Sequence, residues 1–66
     1  MRITKVLTVN IDRVPITEAG KRVYRALLKT GAKTADELCK HMDLDDGIVY
    51  LMLAQLYNVD LIKLEV

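Results

Sequence analysis

DDGIVYLMLAQLYNVDL, residues 45–61, decides how the rest of the chain is read. Val49, Leu53 and Leu56 recur at the three-to-four-residue spacing that places them on one face of a helix. The spacing predicts a helix running to about Asn58, capped by Asp45 or Asp46, whose carboxylates suit a helix N-terminus. Ile48, Leu51 and Gln55 form one outward stripe, and Tyr50, Ala54 and Tyr57 form another. A helix so nearly apolar all round is either buried or meets another apolar surface. Two readings therefore stand: a core element wrapped on three sides, or an interaction face.

Downstream, residues 61–66 (LIKLEV) alternate Ile62, Leu64 and Val66 against Lys63 and Glu65, the pattern of a strand with one covered face. Upstream, Thr34 and Glu37 make the T-x-x-E capping box of a short helix over 35–41. Leu38 should face inward there, supported by Ala35 and Met42. Before it, Thr17 caps a helix over residues 18–30 and Gly31 stops it. Ala19, Val23, Ala26, Leu27 and Thr30 should face the core. Gly20 inside that helix costs roughly 1 kcal/mol against alanine, which implies close backbone packing. Residues 3–14 read as a strand, with Ile3, Leu7, Val9 and Ile11 on one parity, until Pro15 ends it. The sum is an α+β fold in one domain, residues 1–66. Three helices cover a two-stranded antiparallel sheet formed by the N- and C-terminal strands.

A chain of 66 residues buries only about 60% of its unfolded surface, so its stability is marginal unless something helps. Cys39 is the single cysteine, which excludes an internal disulfide and fits a reducing, cytoplasmic setting. No apolar stretch approaches the ~20 residues needed to span a membrane, and nothing reads as a signal peptide. The apolar fraction, 52%, is high for so small a domain, so a homodimer or protein partner is expected to cover some of it. Net charge is +1, but unevenly spread. Residues 1–34 hold eight basic against two acidic residues, a balance of +6; residues 35–66 hold two against seven, a balance of −5. The basic half could meet nucleic acid, and the acidic half would repel it.

From residue 33 to 62 the chain resembles the helix-turn-helix core of winged-helix regulators of the MarR and ArsR kind. The matching residues are Thr34, Ala35, Glu37 and Leu38, then Leu44 after the turn, Val49, Leu53 and Leu56 in the third helix, and the closing Leu61-Ile62. Residues 14–23 (VPITEAGKRV) are similar to a segment that follows the wing in MarR-like proteins, here placed before the helix-turn-helix. The resemblance implies a small winged-helix-like domain in transcriptional or other DNA-associated regulation, with its third helix in the place of a DNA-recognition helix.

The third helix departs from that pattern. Its outward residues, Asp46, Gly47, Ile48, Tyr50, Leu51, Ala54, Gln55 and Asn58, include no cation to neutralise a phosphate. Asp43, Asp45 and Asp46 crowd the end that would enter the groove. The expected function is protein contact through this helix, at Ile48, Tyr50, Leu51 and Gln55, with a second copy or another regulator. The alternative is double-stranded DNA held by Lys21, Arg22, Arg25 and Lys29 on the first helix. Tyr24, Tyr50 and Tyr57 are expected to pack rather than stack bases, and Cys39 to be a small buried hydrophobe. Cys39 and His41 lie two apart on a helix and face different ways, so no metal is expected. No nucleophile with a base, paired carboxylates or phosphate-cradling loop is present, so neither enzymatic activity, a cofactor nor a small-molecule substrate is expected.

Overall fold

The structure, a computed structural model, describes residues 2–5 and 8–65. Strand β1 (Arg2–Lys5) is followed by a 3-10 turn (Ile11–Arg13), helices α1 (Glu18–Thr30), α2 (Ala35–Lys40) and α3 (Asp46–Asn58), and strand β2 (Ile62–Glu65). The two strands pair antiparallel, with Arg2 opposite Glu65, Ile3 opposite Leu64, Thr4 opposite Lys63 and Lys5 opposite Ile62. The α+β architecture, with terminal strands joined beneath three helices, is as expected.

The first strand is shorter than the expected 3–14. The Asn10 side chain captures the Asp12 N–H at 3.2 Å, and the Arg13 N–H bonds the Asn10 carbonyl at 3.0 Å. Short polar side chains compete in this way with a sheet ladder and close a tight turn instead. Ile3 and Ile11 are nonetheless both buried, while Val9 is half-buried. Leu7, on the same expected parity, and Val66 lie outside the described residues.

The helix ends follow from side-chain chemistry. Thr17 Oγ1 accepts from the Gly20 N–H at 3.1 Å, and Gly31 closes α1 at φ 66° with its N–H on the Leu27 carbonyl. Thr34 Oγ1 accepts from the Glu37 N–H at 3.2 Å. The return bond differs from a standard capping box, since Glu37 accepts the N–H of Lys33 at 3.4 Å. Helix α2 ends one residue before the expected His41. Asp45 is the cap of α3 but makes no side-chain cap hydrogen bond, so its carboxylate acts on α3 only through the dipole.

Val23, Tyr24, Ala35, Leu38, Val49, Leu53 and Leu56 form the centre of the core, closed below by Ile3, Leu61 and Ile62. Thr30, expected inward, is exposed and turns its hydroxyl back to donate to the Ala26 carbonyl. Tyr24, not expected inward, is buried, and its hydroxyl accepts the Val9 N–H at 3.4 Å.

Candidate functional site: the outward face of the third helix

Helix α3 contacts α1, α2 and β2, which between them cover one side of it. Val49, Met52, Leu53 and Leu56 are buried there. Among these Met52 was the residue not anticipated, because its position lies at the margin of the inward stripe. The other side is open. Leu51 is 63% exposed at its centre, with Gly47, Ala54 and Asn58 exposed along the same line. Ile48 (41% exposed) lies on one flank and Tyr50 (40%) and Tyr57 (50%) on the other.

The structure thus brings Ile48, Leu51 and Tyr50 together as three exposed apolar side chains over the first half of the helix. Gln55 has a different situation. It is half-buried, and its Oε1 accepts the Thr17 hydroxyl at 3.0 Å, tying α3 to the N-terminus of α1. The same hydroxyl lies 3.2 Å from the Met52 sulfur, the weaker acceptor. Gly20 is buried at this crossing, and a Cβ there would press on Gln55 Oε1, so the Gln55 side chain would have to shift from its bond to Thr17.

The N-terminal end of α3 is acidic. Asp43, Asp45 and Asp46 are all exposed. The Tyr50 hydroxyl donates to Asp36 Oδ1 at 3.3 Å, joining α3 to α2. The charge of Asp36 pushes the Tyr50 phenol above its usual value, as do lesser effects of desolvation and that hydrogen bond. Partial burial raises the Cys39 thiol, and Asp46 raises it further by charge and hydrogen bonding. Cys39 is half-buried rather than enclosed. No Lys or Arg occurs between Lys40 and Lys63, so this face offers phosphate no cation of its own.

On α1 the four basic residues are not equivalent. Lys21 is half-buried, with Nζ 3.5 Å from Glu18 Oε1 and 3.4 Å from the Asp12 carbonyl. Arg25 pairs with the Asp12 carboxylate. Arg22 and Lys29 are exposed with no ion-pair partner among the described residues. Leu28, also exposed, sits on the same face as Arg25 and Lys21.

Among the described residues, no helix is long and apolar enough to cross a membrane, and no cluster of three His, Cys, Asp or Glu side chains could hold a metal. Neither the curated proteins nor the solved structures yield a match to the chain. A protein family does: residues 13–66 match the one described as "Sugar-specific transcriptional regulator TrmB". That span takes in all three helices and β2, with the helix-turn-helix from Thr34 onward that carried the winged-helix resemblance. The chain belongs to this winged-helix family of transcriptional regulators.

Proposed function

We propose that this regulator acts by protein contact, docking the outward face of α3 on a second copy or on another regulator. The observation that carries the reading is Leu51, 63% exposed on the solvent side of the helix that takes the recognition position, flanked by exposed Ile48 and Tyr50. Burying a leucine of that kind against a partner is worth about 1.5–3 kcal/mol, whereas an aspartate-rimmed helix end gains nothing from phosphate. Gln55 borders the same surface and holds its geometry through Thr17. Cytoplasmic placement goes with this reading.

A second reading, duplex DNA held from α1, is supported by the family and by the exposure of Arg22, Arg25 and Lys29. Its strength is limited because Arg25 already pairs with Asp12, and Lys21 with Glu18. Sugar, the ligand class in the family's description, has a weak case here. Among the described residues the only buried side chain with a polar group is Tyr24, whose hydroxyl already accepts the Val9 N–H, and sugar recognition needs several that converge.

Titration with generic duplex DNA at low and moderate salt, followed by amide NMR, separates the readings. Protein contact through α3 predicts shifts that are absent or confined to α1 around Arg22 and Lys29. Salt-sensitive shifts at Gly47, Ile48 and Leu51 would overturn it.

A further inference from the structure

Among the described residues, strand β2 has a neighbour on one side only. In the two-stranded sheet it pairs with β1, and among the described residues no other backbone group bonds to it. The outer edge of β1 is already occupied, because the Ile3 N–H donates to the Lys33 carbonyl at 2.7 Å. That bond also fixes the phase of the ladder. Ile3 directs its N–H away from β2, so the Ile3–Leu64 pair is one whose polar groups point apart. Leu64 therefore turns its own N–H and C=O to the open edge. Ile62 is 2% exposed and Leu64 only half-buried, so the accessible part of the edge is centred on Leu64. A cleft bounded by Tyr57, Asp60 and Leu64 runs beside it.

Lys63 and Glu65 flank Leu64 symmetrically and carry opposite charges. Setting aside the register centred on buried Ile62, which would put Leu64 opposite Asp60 outside the strand, three antiparallel pairings of β2 with its own copy keep the side chains on their proper faces. One puts Lys63 opposite Lys63, and one puts Glu65 opposite Glu65. The third puts Leu64 opposite Leu64 on a twofold axis, with Lys63 opposite Glu65 of the partner subunit and, by symmetry, Glu65 opposite the partner's Lys63. Opposite charges directly across a ladder stabilise it and like charges destabilise it, so charge selects the third register. The same register uses the outward-facing N–H and C=O of Leu64 and covers the half-exposed Leu64 side chains with each other.

We propose that β2 is a homodimer edge, joining two copies into a four-stranded antiparallel sheet with Leu64 on the twofold axis and reciprocal Lys63–Glu65 pairs. The self-complementary charges argue for a second copy, since an isologous contact needs one patch that matches itself. This surface is distinct from Leu51 and Ile48, so the two contacts are tested separately.

The test is sedimentation of the full chain over a concentration series with Lys63→Glu, Glu65→Lys and their mixture. Wild type should dimerise, and each single variant, now facing like charges twice, should dissociate about tenfold more readily or worse. The equimolar mixture of the two variants should recover the dimer, because each chain then meets opposite charges. Both residues are exposed, and circular dichroism of each variant checks that it folds. In wild type the Leu64 amide should also exchange more slowly as concentration rises. A wild type that stays monomeric would overturn the proposal. So would single variants that dimerise like wild type, a mixture that fails to recover the dimer, or a dimer lost in Leu51→Asp but untouched at Lys63 and Glu65.

Discussion

Cys39 reports on the acidic end of the third helix. Its thiol is raised above the ordinary value of 9.0, first by partial burial and then by Asp46 and Asp36. The folded chain therefore holds this proton at a pH where the unfolded chain releases it. More protons bound in the folded state means that stability falls as pH rises past the ordinary thiol value. Cys39→Ser should flatten that part of the stability curve. Because the thiolate is the reactive form, Asp46→Asn should speed the reaction of Cys39 with a disulfide reagent at fixed, mildly alkaline pH. Equal rates in folded wild type and variant would show that Asp46 does not govern this thiol. Unfolded controls should react alike. Tyr50 shifts in the same direction from 10.0 through Asp36, but it is exposed, and its link to stability is correspondingly slight.

At the scale of elements, the end of α3 holds a feature with no sequence signal. Asp60 is at φ 63°, in the left-handed region, with its N–H on the Tyr57 carbonyl and the Leu61 N–H on the Leu56 carbonyl at 3.0 Å. That is a Schellman end with an aspartate where glycine is usual, and buried Leu61 supplies its apolar contact. Asp60→Gly should raise stability by about 0.5–1 kcal/mol, relief of the left-handed cost exceeding the added chain entropy. A lower urea midpoint in the variant would show that the Asp60 side chain contributes something the backbone argument omits. Where local chemistry acts alone, sequence was a sufficient guide: Thr17, Gly31 and Thr34 end their helices as their side chains require. The period-two pattern over 3–14 misleads because Ile3 and Ile11 are buried on one parity although residues 8–13 lie outside the sheet. Period-two burial does not by itself require a ladder. Gln55 escaped for a different reason: its bond to Thr17 spans 38 positions, and spacing along one helix carries no trace of it.

For the whole molecule the decisive contrast lies within one helix. Leu53 is fully buried and Leu51 is 63% exposed, two positions apart in a domain of 66 residues. A chain of this size has a total stability of about 3–10 kcal/mol. Leu53→Ala should remove about 3 kcal/mol or more, through lost burial and the cavity left in the core cluster. That is a large share of the total, and partial unfolding at room temperature is expected. Leu51→Ala should stay within about 0.5 kcal/mol of wild type when measured on dilute monomer, since a surface position has little to lose. The pair thereby distinguishes the two meanings of an apolar recognition helix, a core element wrapped on three sides or a face awaiting a partner. Urea unfolding at two protein concentrations reads the difference. A Leu51→Ala loss matching that of Leu53→Ala on dilute monomer would make Leu51 a core residue and remove the basis for docking through α3. A loss that emerges only as concentration rises, with Leu53→Ala costly throughout, would place Leu51 in a contact between copies.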